Sequence, residues 1–238
     1  MKLRKIKFTD LIIHEDEDYI IVNKPPHLAS LDDRQDPVNL KLLSKQYLET
    51  SQINHRLDKE TSGILVIAKN PESYRHFSIQ LQERKIEKIY HAIAWGRHNF
   101  TEMLVEAPLE IKSNGKVVVS KTGKYSATIF KSLEIYNKVT LIECKLITGR
   151  KHQIRIHLAS GDAPIINDDK YTGANLFLSD LKKKYKPKDE QEEVPLMDRF
   201  ALHSYSLKFT HINGKELYIE APYPKDFERV IKQLKKWG

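Results

Sequence analysis

His55-Arg56-Leu57-Asp58-Lys59-Glu60-Thr61-Ser62-Gly63 leads directly into the apolar run Ile64-Leu65-Val66-Ile67-Ala68. The run reads as a strand and the nonapeptide as the non-helical backbone that feeds it, with Thr-Ser-Gly supplying the turn. An acid between an Arg and such a turn puts a carboxylate beside a cation, so Asp58 is expected to stay ionised. An isolated Asp-x-x-Thr-Ser-Gly would fit an ordinary turn whose carboxylate accepts only local amide hydrogen bonds. The partners that the rest of the chain supplies must therefore decide the role of this acid.

Upstream, Leu11 to Val22 reads as two short strands around the acidic turn Glu15-Asp16-Glu17-Asp18, and Asn23-Lys24-Pro25-Pro26 forces an extended exit. Downstream, Asn70-Pro71 is a helix start, and Tyr74, Phe77 and Leu81 form the apolar stripe of a helix ending near Arg84 and Lys85. Lys88 to Trp95 reads as a strand, and Asn114-Gly115 ahead of Val117-Val118-Val119 marks a hairpin. Strands at about 125–134 and 139–147 are expected to pair through Tyr136-Asn137-Lys138, and Asn213-Gly214 to join strands near 204–211 and 215–221. Asp226 to Trp237 sets Phe227, Val230, Ile231, Leu234 and Trp237 against Arg229, Lys232, Lys235 and Lys236, the pattern of a surface helix docked on a core.

Lys182 to Glu193 is a charge-segregated stretch without an apolar period, expected to be mobile. The whole implies an α+β fold with a mixed, mainly antiparallel central sheet flanked by helices. One domain over residues 1–238 is expected, with a flexible insertion at about 174–198.

The 238 residues, 40% of them hydrophobic, suffice for a substantial core. A lone cysteine, Cys144, excludes an internal disulfide framework and fits a reducing compartment, so a cytoplasmic protein is expected. The basic amino terminus lacks a signal-peptide apolar region, and no apolar run approaches the roughly 20 residues of a spanning helix, so no membrane role is expected. Forty Lys and Arg against thirty-two Asp and Glu give a net charge of +8, which suits a polyanionic partner.

His55 to Gly63 resembles the HRLDxxTSG motif of the RluA-type pseudouridine synthases, with all seven fixed positions present. The resemblance makes Asp58 the nucleophile. Lys88-Ile89-Tyr90, after Arg84, resembles the family's second motif, whose Tyr stacks on the target base and is proposed to act as a base. An aromatic plane holds an extruded base and a phenol relays a proton, although a Tyr in a strand is more often ordinary packing. Thr148-Gly149-Arg150-Lys151-His152-Gln153-Ile154-Arg155-Ile156-His157-Leu158 resembles the third motif, TGRxHQIRxHL, whose second Arg pairs with the nucleophile.

By that resemblance Asp58, Tyr90 and Arg155 are catalytic, with the Arg155 guanidinium gripping the Asp58 carboxylate. His55, Arg56, Arg150 and Lys151 are the implied RNA contacts. Weaker matches at Asn23-Lys24-Pro25, at Pro164 to Gly173 and at Arg199 to His203 extend the resemblance over about residues 12–222. His27 and Asn167 depart from it, standing where the family usually has Gly.

The resemblance implies isomerisation of uridine to pseudouridine in ribosomal or transfer RNA, without cofactor, metal or obligatory protein partner. Many members carry an amino-terminal S4 RNA-binding domain, for which a resemblance that starts within about a dozen residues of Met1 leaves no room, so a stand-alone catalytic domain is expected. His152 and His157, five residues apart on what reads as an extended strand, would point to opposite faces and hold no metal. The competing readings are a catalytically silent RNA-binding or ribosome-assembly factor on the same fold, and a hydrolase using Asp58 with His55.

Overall fold

The computed structural model describes residues 6–32, 36–183, 185 and 193–238, which pack as two compact units. The first comprises Met1–Ile89 with His203–Pro222, the second Tyr90–Leu202 with Tyr223–Gly238.

The first unit is built on the strand that follows the nonapeptide. This strand, β4 (Ser62–Ala68), is buried at every position, which accounts for a continuous apolar run in place of an alternating one. Strand β2 (Tyr19–Lys24) pairs with it antiparallel from Tyr19↔Ala68 to Lys24↔Gly63. Strand β1 (Ile12–Glu15) joins β2 as a hairpin, and the short β3 (Gln52–Ile53) adds to β4. On the other edge β11 (Leu202–Thr210) runs parallel to β4, matching His203 to Ser62 and Ser204 to Gly63, and β12 (Glu216–Glu220) folds back antiparallel on β11.

Helix α2 (Pro71–Gln82) starts as its sequence dictates, with Asn70 accepting the Ser73 amide at 2.8 Å and Pro71 at the first helical position. It buries Phe77 in a core with Tyr19, Ile21, Ile64, Val66 and Phe209. Helix α1 (Leu40–Tyr47) is an addition to the sequence reading: it buries only Leu40 and Ser44, too narrow a stripe to show as a period.

The second unit orders its strands β5-β10-β9-β6: β5 (Glu87–Trp95), β6 (Met103–Glu106), β9 (Ala127–Ile135) and β10 (Val139–Leu146). Strands β9 and β10 form the expected hairpin, and β7 (Leu109–Ile111) pairs with β8 (Val117–Val119) across the Asn114-Gly115 turn. The carboxy-terminal helix α5 (Lys225–Trp237) buries Phe227, Val230 and Leu234. The fully buried Arg199 donates to both carboxylate oxygens of Asp226 in the first turn of α5.

The segment with His152 and His157 is not a strand. Gln153–Ser160 forms helix α3, in which Gln153 through Leu158 are all buried. A helix enclosed on every side carries no amphipathic period, and Ile154-x-Ile156-x-Leu158 then mimics strand alternation. Helix α4 (Leu178–Leu181) lies inside the stretch expected to be a flexible insertion, and the Leu196 amide closes its neck on the Leu176 carbonyl at 2.8 Å. Residues 184 and 186–192 of that stretch lie outside the described residues. Mixed, mainly antiparallel sheet with helices is the architecture expected, and no helix among the described residues is long and apolar enough to cross a membrane.

Gly63 has φ +109°, and a Cβ there would lie 2.2 Å from the Ser204 carbonyl oxygen. Gly214 also has a positive φ, +82°, but open space around it. Gly63→Ala should therefore destabilise by more than about 3 kcal/mol, backbone strain and overlap adding, against about 1 kcal/mol for Gly214→Ala from strain alone. Urea unfolding of both variants reads the difference; equal small losses would contradict so close a contact between β4 and β11.

Candidate active site

The backbone on both sides of Asp58 is fixed from outside its own loop. Lys24, at the end of β2, is fully buried and spends its ammonium group on three carbonyls: Pro25 at 3.0 Å, Leu28 at 2.9 Å and Lys59 at 3.0 Å. A buried charge needs such a shell, and this one ties the residue after Asp58 to the Pro25-Pro26 turn. The Ser30 hydroxyl does the same before Asp58, donating to the Leu57 carbonyl at 2.9 Å and accepting its amide at 3.1 Å. The Thr61 amide closes the turn on the Asp58 carbonyl at 3.0 Å.

His203 then locks the start of β4. Its Nε2 donates to the Ala221 carbonyl at 3.1 Å, which leaves Nδ1 to accept from the Ser62 hydroxyl at 2.9 Å. The result is a half-buried carboxylate on a loop with little freedom to move, the preorganisation a nucleophile requires.

His55 and Arg56 precede it on the same loop but face different surroundings. Arg56 is exposed, as suits a contact with phosphate. The His55 ring stacks on Phe77, centroids 6.0 Å apart and planes at 17°, and its Nε2 accepts the Val66 amide at 3.1 Å. Burial, and secondarily the charge of Lys88, pushes the His55 pKa down to about 3. The ring is therefore neutral at working pH and holds the loop onto β4, a task inside the unit. As the base of a hydrolytic dyad it would be a poor candidate, since a useful general base has a pKa near the operating pH.

In the second unit the third motif explains itself residue by residue. Gln153 accepts from the Thr148 hydroxyl at 2.7 Å and the Arg150 amide at 3.0 Å. Its own amide donates to the Ala127 carbonyl and the Thr128 hydroxyl, both at 2.9 Å, pinning the turn to β9. His157 bonds the Thr128 hydroxyl and the Ala107 carbonyl, each at 3.0 Å, and burial lowers its pKa.

Arg150 and Lys151 are exposed in the turn before α3, with Arg150 Nε donating to the Tyr125 carbonyl at 3.3 Å. Tyr90 is a buried residue of β5. Arg155, buried on α3, donates from Nε and Nη2 to the two oxygens of Asp168 at 2.6 and 2.7 Å. Asp58, His55 and Arg56 thus belong to the first unit, and Tyr90, Arg150, Lys151 and Arg155 to the second. Among the described residues no group of three or more His, Cys, Asp or Glu is arranged to hold a metal ion.

The two departures from the motif pattern share one cause. His27 has φ +64° and Asn167 φ +62°, left-handed backbone at both positions. Gly enters this region without cost, and Asn and His are among the side chains that tolerate it best. Asn167 also bonds across the neck of the 174–198 stretch, donating to the Met197 carbonyl and accepting the Leu176 amide. Lys24 and Asp168, passed over in the sequence except as letters of weaker motifs, emerge as the buried charges that hold the functional loops.

A family model described as RNA pseudouridylate synthase matches residues 18–160. The chain belongs to the RNA pseudouridylate synthase family. Ribosomal large subunit pseudouridine synthase C of Escherichia coli (strain K12) is 35% identical over 237 residues, spanning 95% of this chain and 70% of that protein. The protein of the same name from Vibrio parahaemolyticus serotype O3:K6 (strain RIMD 2210633) is 34% identical, spanning 99% of this chain and 73% of that one. In fold, human RNA pseudouridylate synthase domain containing 4 superposes with a TM-score of 0.72 at 23% identity, covering 96% of this chain and 94% of that one. As a member of the RNA pseudouridylate synthase family the chain is an isomerase that acts on RNA.

The neutral His55 makes stability depend on acid. Its folded pKa of about 3 lies below the ordinary value of 6.5, so its contribution is complete above pH 6.5 and is lost as pH falls toward 3, where the unfolded chain takes up the proton first. His55→Gln carries a non-titrating acceptor in place of Nε2, and should flatten this arm. Urea midpoints of both proteins at neutral pH and at about pH 5 check it; equal acid sensitivity would place the titrating group elsewhere.

Proposed function

We propose that this isomerase converts uridines of ribosomal large-subunit RNA to pseudouridine in the cytoplasm, with Asp58 as nucleophile. In this reading residues 1–238 act as one catalytic domain. Asp58 attacks or deprotonates the nucleoside, the N1–C1′ bond breaks, the uracil turns, and C5 bonds to C1′. The C5 proton leaves and N1 gains one, so atoms and electrons balance without an oxidant, reductant or cofactor. Tyr90 supports the uracil and relays a proton, while Arg155 aims the Asp58 carboxylate.

Arg56, Arg150 and Lys151 take the phosphates of the strand from which the base has left its stack, and the net charge of +8 favours such a polyanion. His55 supports the loop. The observation that carries the reading is the complete nonapeptide on a loop clamped at Leu57, Asp58 and Lys59. The relatives named for the ribosomal large subunit support the choice of RNA.

Pseudouridine mapping of total RNA from a strain lacking the gene tests it. At least one large-subunit position should lose its pseudouridine, regain it with the wild-type gene, and stay unmodified with Asp58→Asn, whose purified form should still bind the RNA within about threefold of wild type. Loss confined to transfer RNA would correct the substrate. Full restoration by Asp58→Asn would remove Asp58 from the chemistry.

A further inference from the structure

The inner face of helix α5 is used up by the core, where Phe227, Val230 and Leu234 are buried. On the outer face Lys225, Arg229, Lys232 and Lys236 are all exposed, and their spacing of four, three and four sets them in one row. At the rise of an α-helix the row is about 16 Å long. An ordinary solvated face mixes signs, with acids placed four residues from bases. Here Lys225 with Arg229 and Lys232 with Lys236 are like-charged neighbours, and Glu228 is the one exposed carboxylate of the helix.

A second segment adds to the row where it could have neutralised it. Lys182, whose amide closes α4 on the Leu178 carbonyl at 2.9 Å, places its ammonium group 4.8 Å from the centre of the Trp237 ring, and Lys236 places its own 5.0 Å from the same centre. Each cation is attracted by the ring. The two nevertheless stand less than about 10 Å apart, one Debye length at about 0.1 M salt, and so repel.

Neighbouring carboxylates are engaged with other cations: Asp226 with Arg199 at 2.7 Å, Asp180 with Lys138 at 3.0 Å and Glu134 with Lys235 at 3.3 Å. Among the described residues Lys182, Lys232 and Lys236 have no carboxylate within ion-pair distance. The helix dipole favours cations in the last turn, which accounts for Lys235 and Lys236, but it disfavours Lys225 in the first.

We propose that the outer row of α5, with Lys182 and the Trp237 ring, is a contact surface for the phosphate backbone of the RNA on which this protein acts. A row of uncompensated cations fits an extended polyanion, whose counterions are released as each phosphate is neutralised. Trp237 gathers two of the ammonium groups over one ring, so they meet phosphates with less side-chain freedom left to lose. An anionic membrane does not fit, because the apolar face of the helix is already buried and none is left to enter lipid. The proposal rests on the action of the family on RNA, and neither on the role of Asp58 nor on the choice of large-subunit RNA.

Reversing Lys182, Lys232 and Lys236 together to Glu in the full chain is compared with reversing Lys45, Lys85 and Lys215, three exposed lysines of the other unit, so that both proteins lose the same net charge. Dissociation constants for a large-subunit transcript and for bulk transfer RNA are measured over rising salt, and single-turnover pseudouridine formation at saturating RNA. The α5 reversal should bind about tenfold or more weaker than wild type and at least about fivefold weaker than the control, with a shallower salt slope and a saturating rate within about twofold of wild type. Gln at the same two sets of positions decides if either Glu protein does not fold, and there the gap should be at least about threefold.

Equal affinity of the α5 and control proteins overturns the proposal, leaving the row a solvated face. A slower rate at saturating RNA with unchanged affinity overturns it as well. If wild type binds these RNAs but converts neither, the reading of Asp58 fails, while the affinity gap between the two reversals still decides the surface.

Discussion

Strand β4 meets β11 at Gly63 and Ser204 with no space for a side chain between them. This contact organises the unit that carries Asp58. Because β4 is enclosed at every residue, β2, β3 and β11 are all added to it directly, and its first residue is bonded to His203 of the neighbouring strand. The loop before β4 cannot drift without disturbing that seam. Lys24 and Ser30 add to the restraint by holding the carbonyls of Lys59 and Leu57, the residues on either side of Asp58.

Motif letters therefore divide into those that do chemistry and those that build its support. Gly63 and Gly173 are places where a Cβ would strike a carbonyl oxygen. His27 and Asn167 occupy left-handed backbone where Gly is the default, and their side chains show that the conformation, not the residue type, is the requirement. Gln153 and His157 satisfy buried polar groups of β9 and its approach. A buried ion pair such as Arg155 with Asp168 is weak evidence for net stability, because desolvation offsets its attraction.

Much of this was legible in the sequence. Strand β4, the hairpins at Asn114-Gly115 and Asn213-Gly214, helix α2 behind Asn70-Pro71 and helix α5 all follow from local signals: turn residues, caps and one-sided apolar stripes. Helix α3 was not legible, because burial on all sides erases its period. Nor was α1, which buries too little to show one. At the site, the complete motif singled out Asp58, whereas the grip of Asp168 on Arg155 joins residues 13 apart through a bend at Asn167 that no local pattern encodes. For His55, which the motif offers as a contact for RNA, the stacking on Phe77 and the bond to the Val66 amide are contacts that no local pattern encodes.

The central claim is that this chain by itself moves the uracil of an RNA uridine from an N1 to a C5 linkage. Incubating the purified protein with a large-subunit ribosomal transcript carrying tritium at uracil C5 tests it most directly, since the C5 proton must leave when C5 bonds to C1′. The account predicts tritium released to water in step with pseudouridine appearing at a fixed position, with no cofactor added. Tight binding of the same transcript with neither tritium release nor pseudouridine would contradict it.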